Sequence, residues 1–168
     1  MASGVLRRLR RRGGNPGGFS FVELLVVATI ILILASAVMP LARVATVRMK
    51  EAELRRALRE IRTAIDRYKD AVDQGSIGGT DVKAGSEGYP PDLDVLVEGV
   101  TPLNDASGRK LKFLRQIPVD PMTQDADWGR RAYQDDPDST SWGGGNVFDV
   151  YSKSGGTALD GTKYRTWD

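Results

Sequence analysis

The sequence predicts an α+β chain. A long N-terminal helix, membrane-spanning in its first half, packs on a small C-terminal domain with a short helix and an antiparallel β-sheet. Three observations carry this. Residues 19–39, FSFVELLVVATIILILASAVM, interrupt their apolar character only at Ser20, Glu23, Thr29 and Ser36. Apolar residues then recur at spacings of mostly three and four from Val47 to Val72, the period of a helix with one buried face. A glycine-rich stretch at 74–88 ends that pattern, and short strand-like runs separated by turns follow it.

Composition narrows the functional classes. At 168 residues the chain has room for one modest domain beside a membrane segment. The formal charge of +2 is set by the leader, whose Arg7, Arg8, Arg10, Arg11 and Arg12 meet no acid before residue 19. Without those five, 19 basic residues face 22 acidic ones, a net of −3, so nucleic-acid binding loses its electrostatic support. The absence of cysteine removes disulfides and thiolate chemistry, and the absence of histidine removes the commonest general base and metal ligand. A metal would have to be a hard cation held by oxygen. No serine sits in a nucleophile-elbow setting, and pairs such as Asp125 and Asp127 carry no further acid–base signal. The chain reads as a structural protein rather than an enzyme.

The apolar run is long enough to span a ~30 Å hydrocarbon core, which takes about 20 residues of helix. Three readings compete for it. A secretory signal would end at a small-residue site such as Ala35-Ser36-Ala37. A signal anchor accounts for the arginines and the run but leaves Glu23 and the Gly17-Gly18 pair without a reason. The third places a cut after Gly18, so that the helix stays with the mature chain. Glu23 bears on the choice, because a charge within a membrane helix costs about 2.5–3.5 kcal/mol on insertion scales and calls for a partner. The leader arginines hold the N-terminus in the cytoplasm and send the rest of the chain to the other side, weakly opposed by Arg43, Arg48 and Lys50.

Gly18-Phe19-Ser20-Phe21-Val22-Glu23-Leu24-Leu25 resembles the processing motif of type IV pilins and type II secretion pseudopilins. The resemblance implies that a prepilin peptidase cuts after Gly18 and N-methylates Phe19. It places Glu23 at the fifth mature position, where the family keeps its glutamate, and Pro40 at the twenty-second, where proline is common. The chemistry suits that spacing. Cleavage frees a cationic amine at Phe19, one helical turn before the Glu23 carboxylate. Glu23 can then neutralise its own amine, meet that of a staggered neighbour, or reach up to the headgroups. A buried charge pair sets register better than it adds stability.

Past Pro40, the stripe Val47, Leu54, Leu58, Ile61, Ile65, Tyr68 and Val72 reads as the core-facing side of the helix. On its exposed face, Glu51–Arg55 and Arg62–Asp66 are i,i+4 pairs. Helix from Phe19 to about Asp73 would be roughly 80 Å long, kinked or loosened at Pro40 and stopped at Gly75. Residues 74–88 read as a flexible loop. Pro91 opens a short helix to about Glu98, and Leu111, Phe113 and Leu114 add an apolar patch. Arg131 to Gln134 and Asn146 to Ser152 read as strands joined through Gly143–Gly145, with Trp128, Trp142 and Trp167 sealing the core. Asp135, Asp136 and Asp138 read as a solvated loop. The domains are therefore a cleaved leader at 1–18, a transmembrane half-helix at 19–39, an amphipathic half at 40–74 and a globular α+β domain at 75–168.

Tyr68-Lys69, Tyr89-Pro90, Ile117-Pro118-Val119-Asp120-Pro121, Phe148-Asp149-Val150-Tyr151-Ser152 and Trp167 resemble, in order and spacing, the major pseudopilin of type II secretion. The resemblance implies a pilin-like fold and a subunit that polymerises from the bacterial inner membrane into a periplasmic pseudopilus driving protein export. Its implied partners are other copies of itself, minor pseudopilins, the prepilin peptidase, and an inner-membrane assembly platform with its ATPase. The mature protein would be single-pass, with its C-terminal domain in the periplasm. Two features depart from the family pattern. The loop at 74–88 is longer than usual, and the family's calcium-binding loop is represented by Lys153 to Gly161 with one aspartate, Asp160. Asp160 with backbone carbonyls would make at most a weak Ca2+ site, since calcium takes six to eight oxygens; otherwise the segment is a turn. A surface type IV pilin and a monomeric membrane-anchored binding module are the alternatives.

Overall fold

The computed structural model describes residues 18, 20–78, 82–103 and 108–167, excluding the side chains of 37 and 39–41. In chain order it contains α1 (Phe21–Asp73), α2 (Asp94–Glu98), β1 (Gly129–Arg131), β2 (Asp149–Tyr151) and a 3-10 turn at Tyr164–Thr166. It is the expected α+β arrangement of a long helix with a small domain carrying a short helix and a two-stranded antiparallel sheet. The chain divides into two compact units, residues 1–42 and 43–168.

In the first unit the described chain is helical from Phe21 onward. Its backbone continues through position 40. The leader arginines and Phe19 lie outside the described residues, as does the side chain of Pro40, on which the expected kink depends. Among the described residues no helix is long and apolar enough to cross a membrane. The expected span at 19–39 includes Phe19 and the side chains of 37 and 39, which lie outside the described residues.

The second unit has its own core. Leu54, Ala57, Leu58, Ile61, Ala64, Ile65, Tyr68 and Ala71 of α1 are buried, the predicted stripe thickened by alanines that let the domain approach closely. Val47 and Val72 at its ends are half-buried. Against the stripe pack Leu93, Leu96, Leu114, Trp128, Val147, Val150, Tyr164 and Trp167. Burying each large apolar side chain contributes about 1.5–3 kcal/mol.

Gly75 stops α1 as expected. It takes a φ of 67°, its N–H donates to Val72 O and the Ser76 N–H donates to Ala71 O. This is the paired closure of a Schellman motif, in which glycine is favoured because it adopts left-handed φ without a Cβ clash. The described start of the following segment packs onto the domain, where Ile77 is buried and Leu103 N donates to Ser76 O. α2 begins at Asp94 rather than Pro91 and ends at Glu98, with Gly99 as its C-cap. A Cβ at Gly99 would stand 2.7 Å from Leu111 O, and φ there is 79°.

The sheet differs from expectation. β1 and β2 pair antiparallel, with Gly129 opposite Tyr151, Arg130 opposite Val150 and Arg131 opposite Asp149, so the first strand ends where it was expected to begin. Beyond Arg131, side chains take over from the ladder: Asn146 Oδ1 accepts from Tyr133 N, and Asp135 Oδ2 accepts from Ala132 N. The connection therefore runs over residues 132–148, with Gly143–Gly145 as one part of it.

Candidate functional site

The N-terminal site is built on the first turn of α1. Leu24 N donates to Ser20 O at 3.0 Å, which sets Glu23 in the first turn, where the free N–H groups favour a carboxylate. Glu23 is exposed and, among the described residues, forms no ion pair. Phe19, its expected amine partner, lies outside the described residues. Gly18 is exposed, nothing described lies within 4 Å of where a Cβ would stand, and its φ is not in the left-handed region. The described chain therefore supplies no steric reason for glycine at this position.

The helix after this turn presents its apolar side chains outward on every face. Large apolar residues from Phe21 to Val38 are exposed, from 45% at Val27 to 74% at Phe21. A helix that is apolar all round belongs in a protein core or in lipid. Its hydroxyls are already satisfied within the helix: Thr29 Oγ1 donates to Leu25 O and Ser36 Oγ to Ile33 O, each at 2.7 Å. Between Phe21 and Ser36 this leaves Glu23 as the described polar side chain without a partner.

In the second unit Asp160 is engaged in a turn. Its Oδ1 accepts from Thr162 N at 2.9 Å and from Thr162 Oγ1 at 2.6 Å. These bonds, with Arg55 at 3.9 Å as a weaker influence, hold its carboxyl below the ordinary aspartate value. Among the described residues no group of three or more His, Cys, Asp or Glu is gathered to hold a metal ion. Asp135, expected to be solvated, instead staples its loop by accepting from Ala132 N at 2.7 Å and Gly143 N at 3.0 Å. Asp127 pairs with Lys153. The three indoles close the core and donate their N–H groups inward, Trp128 to Pro118 O, Trp142 to Asn146 O and Trp167 to Thr162 Oγ1.

Two expected i,i+4 pairs are replaced by longer-range contacts. Arg62 reaches Asp149 and the carbonyls of Val150 and Trp167 instead of Asp66. Glu51 accepts from Leu159 N and Tyr164 Oη instead of pairing with Arg55, whose guanidinium lies 4.3 Å from the Trp167 ring centre. A charged residue within the apolar strand run 147–151 was the available signal for the first contact. The two resemblance landmarks at 117–121 and 148–152 also meet, where the Ser152 hydroxyl donates to the wholly buried Asp120.

Residues 15–39 match the prokaryotic N-terminal methylation motif. The N-terminus is of the prepilin type. The match supports a type IV pilin-like subunit processed by a prepilin peptidase, and with it a structural role in a filament. It covers the glycine, the residue after it, the carboxylate and the whole apolar run. It also suggests that the N-terminal helix anchors the chain in a membrane. No curated protein and no solved structure is significantly similar to the chain.

Proposed function

We propose that this chain is the structural subunit of a type II secretion pseudopilus. It is cut after Gly18, methylated at Phe19, held in the bacterial inner membrane by its apolar helix and polymerised with its C-terminal domain in the periplasm. One observation carries the reading. Between Phe21 and Ser36, α1 exposes its apolar surface all round and holds a single described polar side chain without a partner, Glu23, five residues after a glycine that the described chain does not itself require. Such a helix needs lipid first and neighbouring helices afterwards. Apolar faces gain little in moving from lipid to protein, so the charge pair between Glu23 and a neighbour's new amine sets the register of assembly. The landmarks from Tyr68 to Trp167 favour a secretion pseudopilus over a surface pilus. The platform, its ATPase, minor pseudopilins and the peptidase are the partners this reading requires.

The test is intact mass of the membrane-extracted chain together with the Glu23→Ala variant. The expected mass is that of residues 19–168 plus one methyl group, and Glu23→Ala should leave filaments unformed while the 43–168 unit stays folded. An unprocessed chain in a host carrying the peptidase, or normal filaments from the variant, overturns the reading.

A further inference from the structure

We propose that the groove between α1 and residues 113–115 is a socket for the acidic turn of a neighbouring copy of this chain, with Asp136 and Asp138 entering among Arg56, Arg59, Arg67 and Arg115. The proposal rests on the filament reading and assigns that filament a contact outside the apolar helix. The groove encloses about 530 Å3. Arg56, Arg59 and Arg67 reach it from turns of α1 spaced to share a face, and Arg115 comes from the opposite wall. All four are exposed, and one carboxylate, Glu60, lines the groove with them.

With Glu60 counted, the groove still carries an excess of positive charge. Among the described residues none of the four guanidinium groups lies within ion-pair distance of a carboxylate, whereas Arg55, Arg62, Lys69, Arg130, Arg131 and Lys153 are all paired. Four like charges facing one cleft raise the local potential and call for an anion. Planar guanidinium groups suit carboxylates in particular, because each can donate two parallel hydrogen bonds.

The same unit carries a matching projection. Asp136 and Asp138 flank Pro137, are exposed and have no ion pair among the described residues. Their turn is rigid: Asp135 accepts from Ala132 N and Gly143 N, and Ser139 N donates to Asp136 O at 2.9 Å. Presenting the two carboxylates on a fixed turn lowers the ordering cost of docking. Socket and projection are different patches of one surface, so the contact is heterologous. Repeated from copy to copy, it builds an open chain unless the rotation happens to close a ring.

The chain contains no cysteine, which makes cross-linking clean. Full-length Arg59→Cys and Asp136→Cys chains are co-expressed with the assembly machinery, and sheared filaments are oxidised. A disulfide-linked dimer is expected from the mixture and from neither variant alone. In a second arm, Arg59→Asp with Arg115→Asp should lower filament yield at least tenfold, and adding Asp136→Arg with Asp138→Arg to the same chain should restore it. Filaments that form without a mixed disulfide overturn the socket and leave the filament reading standing, as does a loss that the reciprocal charges fail to restore. Absence of filaments from the unsubstituted chain in a host whose machinery assembles a known subunit overturns both.

Discussion

Arg62 on α1 donates to Asp149 on β2 at 2.7 Å, joining two residues 87 positions apart. The same guanidinium donates to Val150 O at 3.0 Å and Trp167 O at 3.1 Å, while Arg131 approaches the other Asp149 oxygen at 3.0 Å. A single side chain thus ties the helix to the sheet and to the C-terminal segment. With Arg62 and Asp149 only 21% and 23% exposed, the pair is dry enough for its geometry to count.

Arg62→Ala should destabilise the 43–168 unit by about 2–3 kcal/mol, since it leaves two carbonyls and part of a carboxylate without donors. Arg62→Lys should recover less than half of that loss, because an ammonium cannot reproduce the planar fork. Urea unfolding of the full chain in detergent measures both. Equal stability of the parent and the Arg62→Lys variant would show that charge alone matters there.

Asp135 sets a pH dependence. Its backbone hydrogen bonds, to Gly143 first and Ala132 second, hold its carboxyl below the ordinary value of 3.8. The ionised form is therefore favoured by folding, and its contribution is fully present above pH 3.8 and is lost as the pH falls through the lower folded value. Asp135→Asn should melt below the parent at pH 7, with the gap closing as the pH drops below the ordinary aspartate range. A gap that stays constant down to about pH 2.5 would contradict this assignment.

Gly129 lies under an aromatic ring. A Cβ there would stand 2.3 Å from Tyr151, which faces it across the ladder. Gly129→Ala should cost about 1–3 kcal/mol through overpacking, and Gly129→Ala combined with Tyr151→Leu should cost less than the sum of the two single changes. Thermal melts of the four chains make the cycle, and strict additivity would sink the explanation.

Asp160 answers to Thr162, so its loss should act without calcium. Asp160→Ala should lower the melting temperature by the same amount with and without a chelator, because the carboxylate holds a turn that no cation is needed to close. A chelator-dependent drop in the parent chain that disappears in the variant would instead assign calcium to this loop.

Much of the architecture was legible because it follows from local periodicity. The stripe from Leu54 to Tyr68, the glycine stop at Gly75 and the short helix ending before Gly99 all follow from patterns within a few residues. Strand placement was less legible. A short run such as Arg131 to Gln134 carries little signal, and whether it pairs depends on Asn146 and Asp135, which arrive from elsewhere to occupy its backbone groups. Charge partners were the least legible. The i,i+4 rule joins Arg62 to Asp66 and Glu51 to Arg55, but it knows only the helix on which they lie.

The sequence by itself determined the match to the N-terminal methylation motif, because that motif is a set of residue identities at fixed spacing along one short segment. Gly18, Phe19 and Glu23 need no fold to be recognised. Only the tertiary structure decided which charges of the domain are satisfied inside it and which are left facing outward. Arg62 and Arg59 are chemically identical and lie one turn apart on the same helix, yet one points at Asp149 and the other into an open groove. The difference is the surface each helical face meets, and that surface is assembled from segments far away in the chain.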